Sequence, residues 1–283
     1  MTANSDLTEK REVIAEDIEY GRAGDAPLLA RLYRPRGLTG FPSIVDVHGG
    51  AWTGNDRLQN AAMDHVIAAA GTAVLALDFR LAPASPYPAS VMDVNLGIRW
   101  LKANIASWGG DAVRVGGLGT SSGGHQLWLN VLRPRDVRYA AQKLAGAEDV
   151  DATLGFVVVC WPISDPVARY RMARETGNER LVKNHDAYFL TEAAMAEANP
   201  QAILESGEAR DLPPALLIQG TADANVTPDM ADRFVAAYTR AGGRIKLRKF
   251  DGQPHTFISQ NPASPASVEA LGLITQFIRD QTR

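Results

Sequence analysis

Ser121 stands at the centre of Gly119-Thr120-Ser121-Ser122-Gly123, between a strand-like run (residues 113–118) and a helix-like run (residues 122–132). A serine in that setting is a candidate nucleophile for acyl transfer. Glycines two residues before and after it let the backbone turn sharply and keep neighbours clear of the hydroxyl. The helix that follows aims its free N–H groups and positive dipole end at any anion formed there. Ser122 is the adjacent rival, but only Ser121 has glycine on both sides at that spacing. Ser122 is expected to offer its backbone N–H instead.

A second string, His48-Gly49-Gly50-Ala51-Trp52, follows the apolar run at residues 43–47. Consecutive glycines allow the Gly49 and Gly50 amides to approach a carbonyl oxygen, so with Ser122 they would form an oxyanion hole. His48 is expected to hold that loop. A base and an orienting acid must follow the serine in chain order. His255, in a loop just past the strand-like run 245–250, satisfies both order and position. His65 and His125 fall on helical periods and His185 lies in the segment read below as a lid, so these read as structural or surface residues. Asp223, directly after the run 215–219, is the acid candidate, and Asp251 is its serious competitor. Asp229 and Asp232 read as carboxylates at a helix N-terminus. Asp78 and Arg80 could form a buried pair supporting the loops.

The elements that must position these residues alternate strand and helix. Residues 12–20 and 28–33 read as an opening hairpin, with strands at 43–47, 73–79, 113–118, 154–161, 215–219 and 245–250. Helical periods fall at 61–70, 90–108, 122–132, 228–240 and 264–279. Val157-Val158-Val159 is apolar on both faces, as a parallel strand covered by helices requires. Such alternation implies right-handed crossovers and a mainly parallel open sheet of eight strands. Residues 162–210 break the rhythm: helical in bias, charged, and punctuated by Asp165-Pro166, Thr176-Gly177-Asn178 and Asn199-Pro200. An insertion leaving a strand's C-terminal end lies over the edge where such sheets bind ligands, and it reads as a lid. The expected division is therefore a core of residues 1–161 and 211–283 with a helical lid at 162–210.

Composition excludes other classes. The 283 residues are 46% hydrophobic and 22% charged with a net charge of −3, an ordinary globular balance. No stretch concentrates Lys or Arg as a nucleic-acid groove would; the richest patch, Arg133 to Arg138, reads as a solvated loop. The single cysteine, Cys160, cannot form an internal disulfide and reads as a buried strand thiol. The first eleven residues contain no apolar core of a secretory signal, and the longest apolar run, 154–163, is too short to span a bilayer. A cytoplasmic location is the expectation, with no nucleic-acid or membrane partner.

HGGAW, DFRLAP, GTSSGG, GTADANVTP and GQPHTF occur in an order and at spacings that resemble the α/β-hydrolase superfamily. Within it, the sequence is similar to the hormone-sensitive-lipase-like and kynurenine-formamidase-like esterases, over nearly the whole chain. The resemblance implies an α/β-hydrolase fold with Ser121, Asp223 and His255 as triad and the Gly49, Gly50 and Ser122 amides as oxyanion donors. Two departures stand out: Ala51 replaces the third glycine of an HGGG loop, and only about ten residues precede the first strand, so the long N-terminal cap of lipase-like members is not expected. The expected activity is hydrolysis of carboxylic esters by a serine hydrolase, with a small-molecule ester as partner and no cofactor or metal. Hydrolysis of an activated amide or formamide by the same triad is the alternative, and a non-catalytic ligand-binding member, argued against by His255, is a third. A homodimer stays open. Trp52 and Trp161 are expected to wall the substrate site and favour small acyl groups, with Tyr170, Tyr188 and Phe189 as further walls; the other reading makes both indoles core residues.

Overall fold

The computed structural model describes residues 11–283; residues 1–10, nearly all of the stretch read for a secretory signal, lie outside the described residues. Eight strands build one sheet: β1 (Val13–Ala23), β2 (Ala26–Pro35), β3 (Phe41–Val47), β4 (Ala73–Leu77), β5 (Gly110–Thr120), β6 (Val157–Cys160), β7 (Ala215–Gly220) and β8 (Ile245–Phe250). Their order is β1-β2-β4-β3-β5-β6-β7-β8. β1 and β2 run antiparallel to each other and β2 antiparallel to β4, while every later pairing is parallel. The opening strands are longer than the sequence suggests. Ala23 pairs directly with Ala26, leaving Gly24 and Asp25 as the whole turn, with Gly24 at φ +62°.

Alternation along the strands divides the core between two faces. Val45, Leu75, Val157, Val159 and Leu217 face one side, covered by α2 (Ala89–Asn104), α3 (Ser122–Leu132) and α8 (Pro228–Arg240). Ile44, Val74, Leu118, Val158 and Ile218 face the other, covered by α1 (Ala61–Ala69), α9 (Phe257–Gln260) and α10 (Pro265–Gln281). Cys160 is buried and free, and burial pushes its thiol pKa up. Among the described residues no helix is long and apolar enough to cross a membrane.

Between β6 and β7 lie α4 (Pro166–Glu175), α5 (Glu179–Phe189), α6 (Glu192–Glu197) and α7 (Pro200–Glu205). The polar punctuation seen in the sequence starts them. Asp165, Asn178, Thr191 and Asn199 each accept a backbone N–H of the first turn, and Pro166 and Pro200 follow their caps directly. Caps of this kind contribute about 1 kcal/mol each, which matters for helices this short. The Arg133–Arg138 patch is paired rather than simply solvated. Arg133 binds Glu197 and Glu208, and Arg138 binds Glu197, tying the end of α3 to the inserted helices.

Candidate active site

All the motif residues fall at the C-terminal ends of strands. β5 runs into Ser121, which sits at φ 52°, ψ −117° before α3 begins. A non-glycine residue in that region costs about 1–3 kcal/mol and persists only where its surroundings fix it. Here Ser121 N–H donates to the Cys160 carbonyl at 3.0 Å, while its own carbonyl accepts from Ile163 at 3.0 Å. Gly123 explains the tightness of the turn. A Cβ there would stand 1.9 Å from the Val47 carbonyl oxygen, so α3 can lie against the end of β3 only because that residue is glycine.

The three groups singled out in the sequence form one hydrogen-bonded series. Ser121 Oγ lies 3.0 Å from His255 Nε2, and His255 Nδ1 lies 2.7 Å from Asp223 Oδ2. The Asp223 side chain is fully buried. Its Oδ1 accepts the N–H groups of Asn225 and Val226, each at 2.8 Å, and its Oδ2 also accepts from Gln219 Nε2 at 3.1 Å. Asp251 is exposed and accepts from the Thr221 hydroxyl at 3.0 Å, away from the imidazole.

The glycine loop lies beside the serine. A Cβ on Gly49 would come within 3.1 Å of Ser121 Cβ, and Gly50 adopts φ 126°, open to glycine alone. Among the described residues no protein group accepts from the Gly49 or Gly50 N–H. Ser122 opens α3, where first-turn N–H groups have no intrahelical partner. Its hydroxyl is fully buried and accepts the Trp52 N–H at 3.2 Å. Ser122 therefore braces the loop rather than facing solvent. His48 stacks on Phe79 at 4.2 Å, and burial lowers its pKa.

A cavity of about 440 Å³ opens beside Ser121 and His255. The expected aromatic walls are absent from it. Trp52 is 1% exposed and lies behind the loop, stacked on Tyr188 at 5.0 Å, with its Nε1–H donating to His125. Trp161 is completely buried, packed edge-on against Phe257 at 5.3 Å. Both indoles leave residues of positive φ, 64° and 42°. Tyr188 and Phe189 are buried against Trp52, and Tyr170 packs on His185. Burial pulls the His125 pKa down to about 4 and that of His185 to about 3, so both stay neutral packing groups at pH 7. The expected Asp78–Arg80 pair is not formed either, because each meets an opposite charge on another element: Asp78 binds Arg57 at 2.6 Å and Arg80 binds buried Asp93 at 2.7 Å.

What lines the cavity instead is polar and was not singled out in the sequence: Asn55, Arg169, Arg180, Asn184 and Asn225. Arg169, on α4 and 1% exposed, donates through Nε to the Asn225 carbonyl at 3.0 Å and through Nη2 to the Asn225 side-chain oxygen. It thereby fixes the loop that holds Asp223. The only available signal was the spacing of Arg180 and Asn184, four residues apart on one face of α5.

Behind the serine lies a buried acid pair. Asn60 Nδ2 donates to both oxygens of Asp46, at 3.0 and 3.1 Å, and to Thr120 Oγ1 at 3.3 Å. Burial pushes Asp46 up to about 7, and burial together with the Asp46 charge raises Asp64 well above the carboxylate range. Both therefore keep protons in the folded chain at pH values where the unfolded chain has lost them. Folding takes up protons, so stability falls as pH rises from about 4 through 7. Asp64→Asn is expected to raise the Tm by a few degrees at pH 8, with the gain shrinking towards pH 4. In a chain this size 1 kcal/mol corresponds to about 2–4 °C. Thermal melts of both proteins across that range check it; a pH-independent difference would contradict the assignment.

The sequence profile of the BD-FAE family matches residues 31–238. The chain is 28% identical over 237 residues to Esterase LipC of Mycobacterium tuberculosis, covering 81% of this chain and 56% of that protein. It is 27% identical over 267 residues to Carboxylesterase NlhH of the same organism, covering 92% and 81%. The chain thus spans little more than half the length of the first of these. Among solved structures, Esterase B from Lactobacillus rhamnosis superposes with a TM-score of 0.81 at 22% identity, covering 98% of this chain and 89% of that one, which is a likeness of fold.

Proposed function

Since the chain belongs to the BD-FAE family of hormone-sensitive-lipase-like α/β-hydrolases, we propose that it is a serine hydrolase of carboxylic esters. The observation that carries this reading is the unbroken series Ser121 Oγ, His255, Asp223 at 3.0 and 2.7 Å, opening on a cavity. His255 takes the proton of Ser121 as its oxygen attacks the acyl carbon, and the Gly49, Gly50 and Ser122 amides hold the oxyanion. The imidazolium then protonates the leaving alcohol. A water molecule, deprotonated by the same imidazole, cleaves the acyl-enzyme and frees the acid. Asp223 holds Nδ1 protonated and stabilises the imidazolium through both steps. The relatives named as esterases support the same chemistry.

In this reading α4 to α7, within residues 162–210, act as a lid on a core of residues 1–161 and 211–283, and the partner is a small-molecule ester. The acyl group is small. What supports this is the modest cavity and its polar wall, which gives a long alkyl chain little apolar surface to bury. p-Nitrophenyl esters from acetate to decanoate test both levels. Turnover is expected, with kcat/KM greatest at acetate or butyrate. A maximum at octanoate or beyond would overturn the acyl size alone. Turnover of an aryl formamide with no ester cleaved would replace the leaving group, and inertness toward both would sink the hydrolase reading.

A further inference from the structure

The cavity beside Ser121 carries a charge that the hydrolysis of a neutral ester does not need. Two arginines line it, Arg169 from α4 and Arg180 from α5, and no carboxylate does. The whole chain is net negative at −3, so this is a local excess of cation against the general balance. Arg180 is exposed, and among the described residues its side chain makes neither an ion pair nor a hydrogen bond. Its neighbours on the helix are otherwise engaged: Glu179 pairs with Lys183, and Asp186 accepts from Tyr170. Arg169 is buried. Two of its nitrogens are bound to Asn225, but Nη1 has no hydrogen-bond partner.

A purely structural Arg169 would account for the two bonds to Asn225 and for its guanidinium lying 6.0 Å from the centre of the Trp52 ring. It does not account for the idle Nη1, nor for a second guanidinium close enough to repel the first. Asp223 attracts Arg169, but that carboxylate is already committed to His255, Gln219 and two backbone amides. Like charges facing one space are unfavourable until an anion sits between them. Guanidinium groups suit a carboxylate because their planar fork can donate two parallel bonds to its two oxygens. Asn184 and Asn225 add neutral polar groups to the same wall.

We propose that the cavity selects esters bearing a second, free carboxylate on the part of the molecule that does not react, bound by Arg180 and Arg169. The reaction itself is unchanged, and the proposal rests on the esterase reading. The carboxylate could belong to the acid or to the alcohol half, so the test has two arms. In the first, 4-nitrophenyl hydrogen succinate is compared with 4-nitrophenyl pentanoate. In the second, 4-acetoxybenzoate is compared with 4-acetoxybenzamide. In each arm the readout is the anionic-to-neutral ratio of kcat/KM, for the native chain and for Arg180→Glu. Dividing one ratio by the other cancels the intrinsic reactivity of the esters.

In one arm the native ratio is expected to exceed that of Arg180→Glu by about ten- to a hundredfold, the range of a charge-assisted bond made or replaced by repulsion. The arm that responds identifies which half of the ester carries the carboxylate. Rising ionic strength should shrink the native ratio, since Arg180 is exposed to screening. If the neutral esters are cleaved and Arg180→Glu leaves both ratios where they were, the anion site is overturned while the esterase reading stands. If no ester in either arm is cleaved, both fall together.

Discussion

Replacing Ser121 with alanine is expected to lower kcat by about three decades or more while leaving the fold intact. The size follows from where the hydroxyl sits. Its Oγ is the atom 3.0 Å from His255 Nε2, and among the described residues no other hydroxyl is hydrogen-bonded to that nitrogen. The fold should be indifferent, because the interactions that fix residue 121 are its backbone bonds to Cys160 and Ile163, which alanine keeps. A fluorophosphonate should label Ser121 in the native chain and nothing in the variant. Ser122→Ala offers the contrast. It removes the acceptor of the Trp52 N–H, and an orphaned buried donor costs about 1–3 kcal/mol, so stability should suffer more than the chemical step. Near-native turnover by Ser121→Ala, or a labelled peptide that lacks Ser121, would remove the serine from the mechanism.

The residues in that argument were legible in the sequence for one physical reason. Buried parallel strands announce themselves as short apolar runs, and the residue just past such a run must lie at the sheet's C-terminal edge. Ser121, Asp223 and Gly49 are each placed that way, and His255 by a loop of four residues after β8. The direction of a side chain beyond the strand end is not fixed by the pattern. Trp52 and Trp161 were expected to face the substrate and instead are buried in the core, Trp52 from a loop five residues past β3 at φ 64° and Trp161 directly after β6 at φ 42°. No spacing rule reports that a non-glycine residue will take positive φ.

The cavity wall was illegible for another reason. Arg169, Arg180 and Asn184 sit on inserted helices whose period shows which face is apolar but not which strand end that face will cover. Their meeting with Gly49 and Asn225 depends on docking between segments more than a hundred and about fifty residues apart. The same holds for Asp78 and Arg80, neighbours in sequence that find their countercharges in Arg57 and Asp93. Local reading pairs what is adjacent, whereas the folded chain pairs what packing brings together.

Asp223, preferred over Asp251 from the sequence, is the carboxylate whose loss should cripple the enzyme. Asp223→Asn is expected to cost about four decades in kcat, and Asp251→Asn close to nothing. The buried carboxylate accepts four hydrogen bonds, two backbone N–H groups on Oδ1 and the Gln219 amide and His255 on Oδ2. An asparagine keeps one acceptor oxygen, and the rigid backbone amides of Asn225 and Val226 should claim it. Its NH₂ then faces His255 Nδ1, donor against donor. The imidazole escapes by moving its proton to Nε2, the nitrogen that must receive the Ser121 proton, so the base is disabled with its geometry almost unchanged. The corresponding change in the trypsin-type triad has a cost of that order for the same tautomeric reason. Asp251 touches only the Thr221 hydroxyl and solvent, and an amide oxygen can accept that bond as well. Kinetics of the two variants, with melting curves to show both remain folded, decide the matter. A crippled Asp251→Asn beside a competent Asp223→Asn would reverse the assignment, and two competent variants would mean that His255 works without an orienting acid.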